Sequence, residues 1–136
     1  MGDRASIAVT QFDPNEMIWL YTHWYGPKTA QWVQQTLARR KRWDDGPYLA
    51  RMLFERMLAD EPEPMGEAGL GICTGPAPDA QHPYLILDTT TQTVLMVPVT
   101  EAGAKANPIQ TWTFEEFAKN GCPNFKSLPR KPAPRS

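Results

Sequence analysis

Two strand-like runs open the chain, and a single pair of helical patterns follows before strand patterns return. That order limits the fold more than any other feature. ASIAVTQ (5–11) is short, β-branched and uncharged, as a first strand should be. FDPNE (12–16) is a turn in which Pro14 sets φ. MIWLYTHWY (17–25) is apolar on both alternating faces, the pattern of a strand covered on two sides. The two runs therefore pair as a hairpin. A doubly wound α/β chain would alternate strand and helix throughout, and this one does not.

PKTAQWVQQTLARRKR (27–42) reads as a helix that begins at Pro27 and carries Ala30, Trp32, Val33, Thr36 and Leu37 on one stripe. Its cationic end suits the negative pole of a helix dipole. Asp44 or Asp45 then caps a second helix, PYLARMLFERMLAD (47–60). Leu49, Met52, Leu53 and Met57 share its buried face, Phe54 and Leu58 widen that face, and Arg51 and Glu55 lie four apart on the other side. GLGICTG (69–75) is a third strand, and YLILD (84–88) with TVLMVPV (93–99) forms a hairpin. TFEEFAKNG (113–121) is a short helix with a Thr113–Glu116 capping box, a Trp112–Phe117 staple and a Gly121 stop. The expected fold is α+β: a mostly antiparallel sheet of about five strands, packed by two helices plus a short C-terminal helix, in the order ββααβββα. Residues 1–128 form one domain, and the Pro/Arg-rich segment 129–136 is expected to be disordered.

Composition excludes several classes. With 41% hydrophobic residues and five Trp among 136 residues, the chain can build a core without a metal or disulfide staple. A net charge of -1, with acids gathered near 60–67, argues against a nucleic-acid partner. The opening residues lack the apolar region of a secretory signal, and no apolar run reaches the roughly 18 residues of a membrane span. A cytoplasmic protein with no membrane partner is expected. Cys73 and Cys122 then read as free thiols, Cys73 as a buried, inert one on a strand. Two His and two Cys without CxxC or HxxxH spacing point to no metal, and the absence of Walker or GxSxG motifs points to no cofactor or serine nucleophile.

Two stretches remain as candidate sites. RRKRWDDGPYLAR (39–51) sets Arg39, Arg40 and Arg42 beside Trp43, then Asp44 and Asp45. The structural reading is a helix–helix joint whose charges answer two dipoles while Trp43 plugs the gap. The functional reading is an Arg/Trp surface of the kind that anchors protein interfaces. LYTHWYG (20–26) places Tyr21, His23 and Trp24 at a strand end. They form a binding surface, a core edge, or an acid–base site in which His23 works with Asp44 or Asp45.

The same two stretches, LYTHWYG (20–26) and RWDDGPYLARMLFERM (42–57), followed by YLILDTTTQTV (84–94) and TWTFEEFAK (111–119), resemble small bacteriophage and prophage proteins with a YTHW … RWDD-x-x-YLAR pattern. Gly46-Pro47 stands where such proteins carry a Pro-Ser-like pair. The resemblance implies a phage origin and a compact α+β fold, and brings no catalytic residue with it. The expectation is a non-catalytic module that binds a host or phage protein, with inhibition of a host defence system as one role. The alternatives are a small enzyme around His23 and Asp44/Asp45, and a homo-oligomeric accessory protein, such as a homodimer.

Overall fold

The computed structural model describes residues 3–61, 69–77 and 79–125. The segment 129–136 and most of the acidic loop lie outside the described residues. Six strands form one mixed, open sheet in the order β3-β2-β1-β4-β5-β6. They are β1 (Ala5–Thr10), β2 (Met17–Thr22), β3 (Leu70–Cys73), β4 (Tyr84–Asp88), β5 (Thr93–Val97) and β6 (Gln110–Thr113), with α1 (Thr29–Leu37) and α2 (Gly46–Ala59) between β2 and β3, and α3 (Phe114–Asn120) last. The class is α+β, as expected. One strand more is present than the pattern predicts. β6 reads Gln-Thr-Trp-Thr with three exposed residues, so no buried face marks it; pairing with β5 makes it a strand.

β1 and β4 form the one parallel pair, and every other pairing is antiparallel. All six residues of β1 are buried. On one face, Ile7 and Val9 join Leu20, Leu85, Leu87, Val94 and Met96 beneath the helices. On the other, Ala8, Trp19, Tyr84, Ile86 and Val97 pack with Ala80, Val99, Ala104 and Ala106 from the connecting loops. Trp19 meets Tyr84 edge-on at 5.3 Å. The two-sided apolar pattern of residues 17–22 is thus explained by helices below and loops above.

α2 lies over β1 and β2, α1 beside it, and α3 over the β5–β6 end. α1 ends at Leu37, well short of the expected Arg42, because Arg40 (φ 56) and Arg42 (φ 63) are left-handed and turn the chain. The cations therefore lie in the corner and not in the last helical turn. α2 begins as expected: the Tyr48 amide donates to the Asp45 carboxylate, and Pro47 sits in the first turn. α3 shows the full capping box, and Trp112 meets Phe117 at 4.9 Å.

One contact ties the helical pair to the sheet, and another ties its two helices to each other. Gly46 lets the start of α2 touch the end of β1, and a Cβ there would lie 2.0 Å from the Thr10 carbonyl oxygen. At the other end the buried Trp32 indole donates to Asp60 at 2.7 Å. That hydrogen bond, with help from Arg56 and Lys28, holds the Asp60 carboxyl below the usual carboxylate range against the opposing effect of burial.

Two outcomes are expected. Gly46→Ala lowers unfolding stability by at least about 2 kcal/mol in urea titration, since backbone must move to admit the methyl. A carboxyl lowered in the folded state stabilises the fold above its unfolded value and loses that contribution as pH falls through the folded one. Wild type should therefore lose melting temperature below about pH 4 more steeply than Asp60→Asn, measured by calorimetry across pH.

Candidate functional site

The residues singled out in the sequence do not form one surface. The Tyr21–Trp24 stretch sits at the start of β1, where the Asp3 amide donates to the His23 carbonyl. The Arg39–Asp45 corner sits at the other end, beside Thr10. The length of β1, roughly 20 Å, separates them. His23 therefore cannot share a site with Asp44 or Asp45. Its ring lies edge-on to Trp24 at 4.1 Å, and its backbone amide donates to Gly69 at 2.8 Å.

Within the corner, three of the six candidates have structural work. Arg40 makes a two-pronged ion pair with Glu115 at the start of α3. The hydrogen bond from Arg40 is the main cause that lowers the Glu115 carboxyl, and Arg40 is raised in turn. Trp43 packs edge-on against Phe114 at 5.6 Å and donates to the Leu37 carbonyl at 3.1 Å. Asp45 caps α2. Arg39, Lys41 and Asp44 are exposed. The structural reading of this joint thus accounts for Arg40, Trp43 and Asp45.

Arg42 belongs to a different arrangement. Its guanidinium lies 4.5 Å from the Tyr48 ring centre, and that of Arg51 lies 4.4 Å from the same ring. Tyr48 and both arginines are exposed. Arg51 pairs with Glu55 at 2.7 Å, and Arg42 reaches Asp45 only at 4.0 Å. Exposed pairs of this kind are weak and exchange readily with solvent or a partner.

Arg51 also borders a groove of about 470 Å³ between α2 and the β2–β3 side of the sheet. Its walls are Ile18, Leu20, Pro47, Ala50, Phe54, Leu58 and Ile72, with Gln11, Arg51 and Glu55 as the polar members. The groove exists because α2 covers β1 and β2 while β3 lies further out. Phe54 and Leu58, which widen the apolar face of α2, line the uncovered side. Ile72 is 60% exposed, and Phe12, next to Gln11 in the β1–β2 turn, is 83% exposed. Ile72 is among the groove's own lining residues, so its exposed side chain adds to an apolar wall.

Burial raises Tyr84, with Asp79 adding to the effect, and burial raises the Cys122 thiol. Cys73 is exposed and not buried as expected, because β3 is an edge strand. It pairs with Trp19, away from His23 at the other end of β3. His82 is buried against Gly26, Asp3 and Phe125. Among the described residues, no three His, Cys, Asp or Glu side chains gather as a metal site, and no helix is long and apolar enough to cross a membrane. Comparison with protein families, curated proteins and solved structures finds no match to this chain.

The division of labour in the corner has a direct consequence. Trp43→Ala should cost about 2–3 kcal/mol in denaturant unfolding, since it removes a half-buried ring packed on Phe114 and one of the two hydrogen bonds to the Leu37 carbonyl. Arg39→Ala should stay within about 0.5 kcal/mol of wild type.

Proposed function

We propose that this chain is a small non-catalytic module that binds another protein through the groove between α2 and the β2–β3 side of the sheet. The observation that carries this reading is the groove itself: an apolar trough bordered by exposed Ile72 and by the Arg42–Tyr48–Arg51 stack. Arg, Tyr and aliphatic anchors around a desolvatable centre are the residues that carry most binding energy at protein interfaces. The phage-like text of residues 20–26 and 42–57 supports a bacterial host or phage protein as the partner, with occlusion of a host defence component as the role.

The binding surface proposed here differs from the one expected in the sequence. Arg42 stays in it. Arg40 and Trp43 are occupied by Glu115, Phe114 and Leu37, and Tyr21 to Trp24 lie toward the other end of β1.

The test is affinity capture from a bacterial host lysate with matched variants. Phe54→Glu and Arg51→Glu should each weaken retention of the captured protein at least tenfold, while Arg39→Ala should leave it unchanged. Circular dichroism confirms that each variant is folded. Retention that is indifferent to both groove variants would place the interface elsewhere.

A further inference from the structure

β3 is the outermost strand on the open side of the groove. Its register with β2, and the bond from the His23 amide to the Gly69 carbonyl, set the inward-facing backbone groups at positions 69, 71 and 73. By the alternation of an antiparallel ladder, the amides and carbonyls of Leu70 and Ile72 point away from β2. The Ile72 side chain also lines the groove, and Leu70 packs against the neighbouring core. The same two residues therefore offer hydrogen bonds along the edge and an apolar wall beside it.

Sheet edges are normally guarded by charge, proline or a covering element. Leu-Gly-Ile-Cys has no charge and no proline, and among the described residues its four-residue length is its main guard. The opposite edge, β6, exposes Gln110, Thr111 and Thr113 instead. On the far face of the sheet, Tyr21 lies over Gly71, where a Cβ would come within 2.3 Å of its ring. An adjoining strand would find that ring in place of the missing side chain.

We infer that the partner binds as an extended segment added to β3 as a seventh strand. Alternate apolar side chains enter the groove, and a carboxylate on the segment meets Arg51. This deepens the protein-binding reading and rests on it. The pairs that Arg42 and Arg51 make with Asp45 and Glu55 beside the Tyr48 ring are exposed, so a carboxylate on the segment can displace Glu55 from Arg51. A carboxylate arriving there gains a charge-assisted bond in a place the bound segment shields from water. Backbone bonds to the edge supply affinity, and alternate side chains supply specificity. A second copy pairing β3 to β3 fits less well, because it brings its own open groove and nothing to fill this one.

The experiment selects a displayed library of random twelve-residue peptides against the full chain, then measures affinities of the enriched peptides by calorimetry. The expected result is apolar residues at every second position with an Asp or Glu. Methylation of every second backbone amide should weaken binding at least tenfold in one register and little in the other. Ile72→Lys and Arg51→Glu should each weaken it at least tenfold. Enriched peptides with apolar spacing of three and four residues, sensitive to Phe54→Glu but not to amide methylation, would overturn strand addition and keep the groove. Peptides indifferent to Phe54→Glu, or no enrichment, would remove both readings. A wild-type dimer that Ile72→Lys converts to monomer in sedimentation would give the edge to a second copy and overturn the inference.

Discussion

The burial of β1 on both faces is the constraint from which the rest of this structure follows. A strand with all six residues buried needs neighbours on each side and cover above and below. β2 supplies one neighbour through a tight turn. β4 supplies the other in parallel, and a parallel neighbour requires a crossover long enough to return to the same end of the sheet. In this chain α1, α2 and β3 form that connection. The helices cover one face on the way, while Ala80, Val99, Ala104 and Ala106 from the connecting loops cover the other.

The crossover explains why so many charged residues in the corner are structural. The chain must reverse between α1 and α2 within a few residues, and Arg40 and Arg42 adopt left-handed backbone to do so. Turning the chain there brings Arg40 to Glu115 and Trp43 to Phe114, so the joint also fastens α3 to the helical layer. At the far end, the Trp32–Asp60 bond closes the same pair of helices. The polar groups that look most like a site in the text are those a short joint needs.

A different surface is left over. Among the described residues, the helices cover the six-stranded sheet incompletely, and the shortfall falls beyond β2, toward β3. The groove is apolar because its residues continue the patterns of strands and helix that are buried further in: Ile18 on β2 and Phe54 and Leu58 on α2, with buried Leu20 among its lining residues. Arg42, Tyr48 and Arg51 stand beside it. An apolar strip with a cationic, aromatic border and an open strand edge is suited to recognition of another chain.

Local interactions were legible in the sequence. The buried stripe of α1, the Asp45 cap, the Thr113–Glu116 box and the two hairpins all depend on residues within a few positions of one another, so spacing alone reveals them. The α+β class follows from their order. β6, the exposure of Cys73 and the separation of His23 from Asp45 were not legible, because each depends on which strand lies beside which, and the early end of α1 was not legible because it depends on left-handed backbone at Arg40 and Arg42. The groove is the clearest case. The sequence marked Phe54 and Leu58 as apolar, and whether an apolar residue is core or surface is decided by what covers it. Here β3 lies beyond the reach of α2, and only the tertiary arrangement sets that distance.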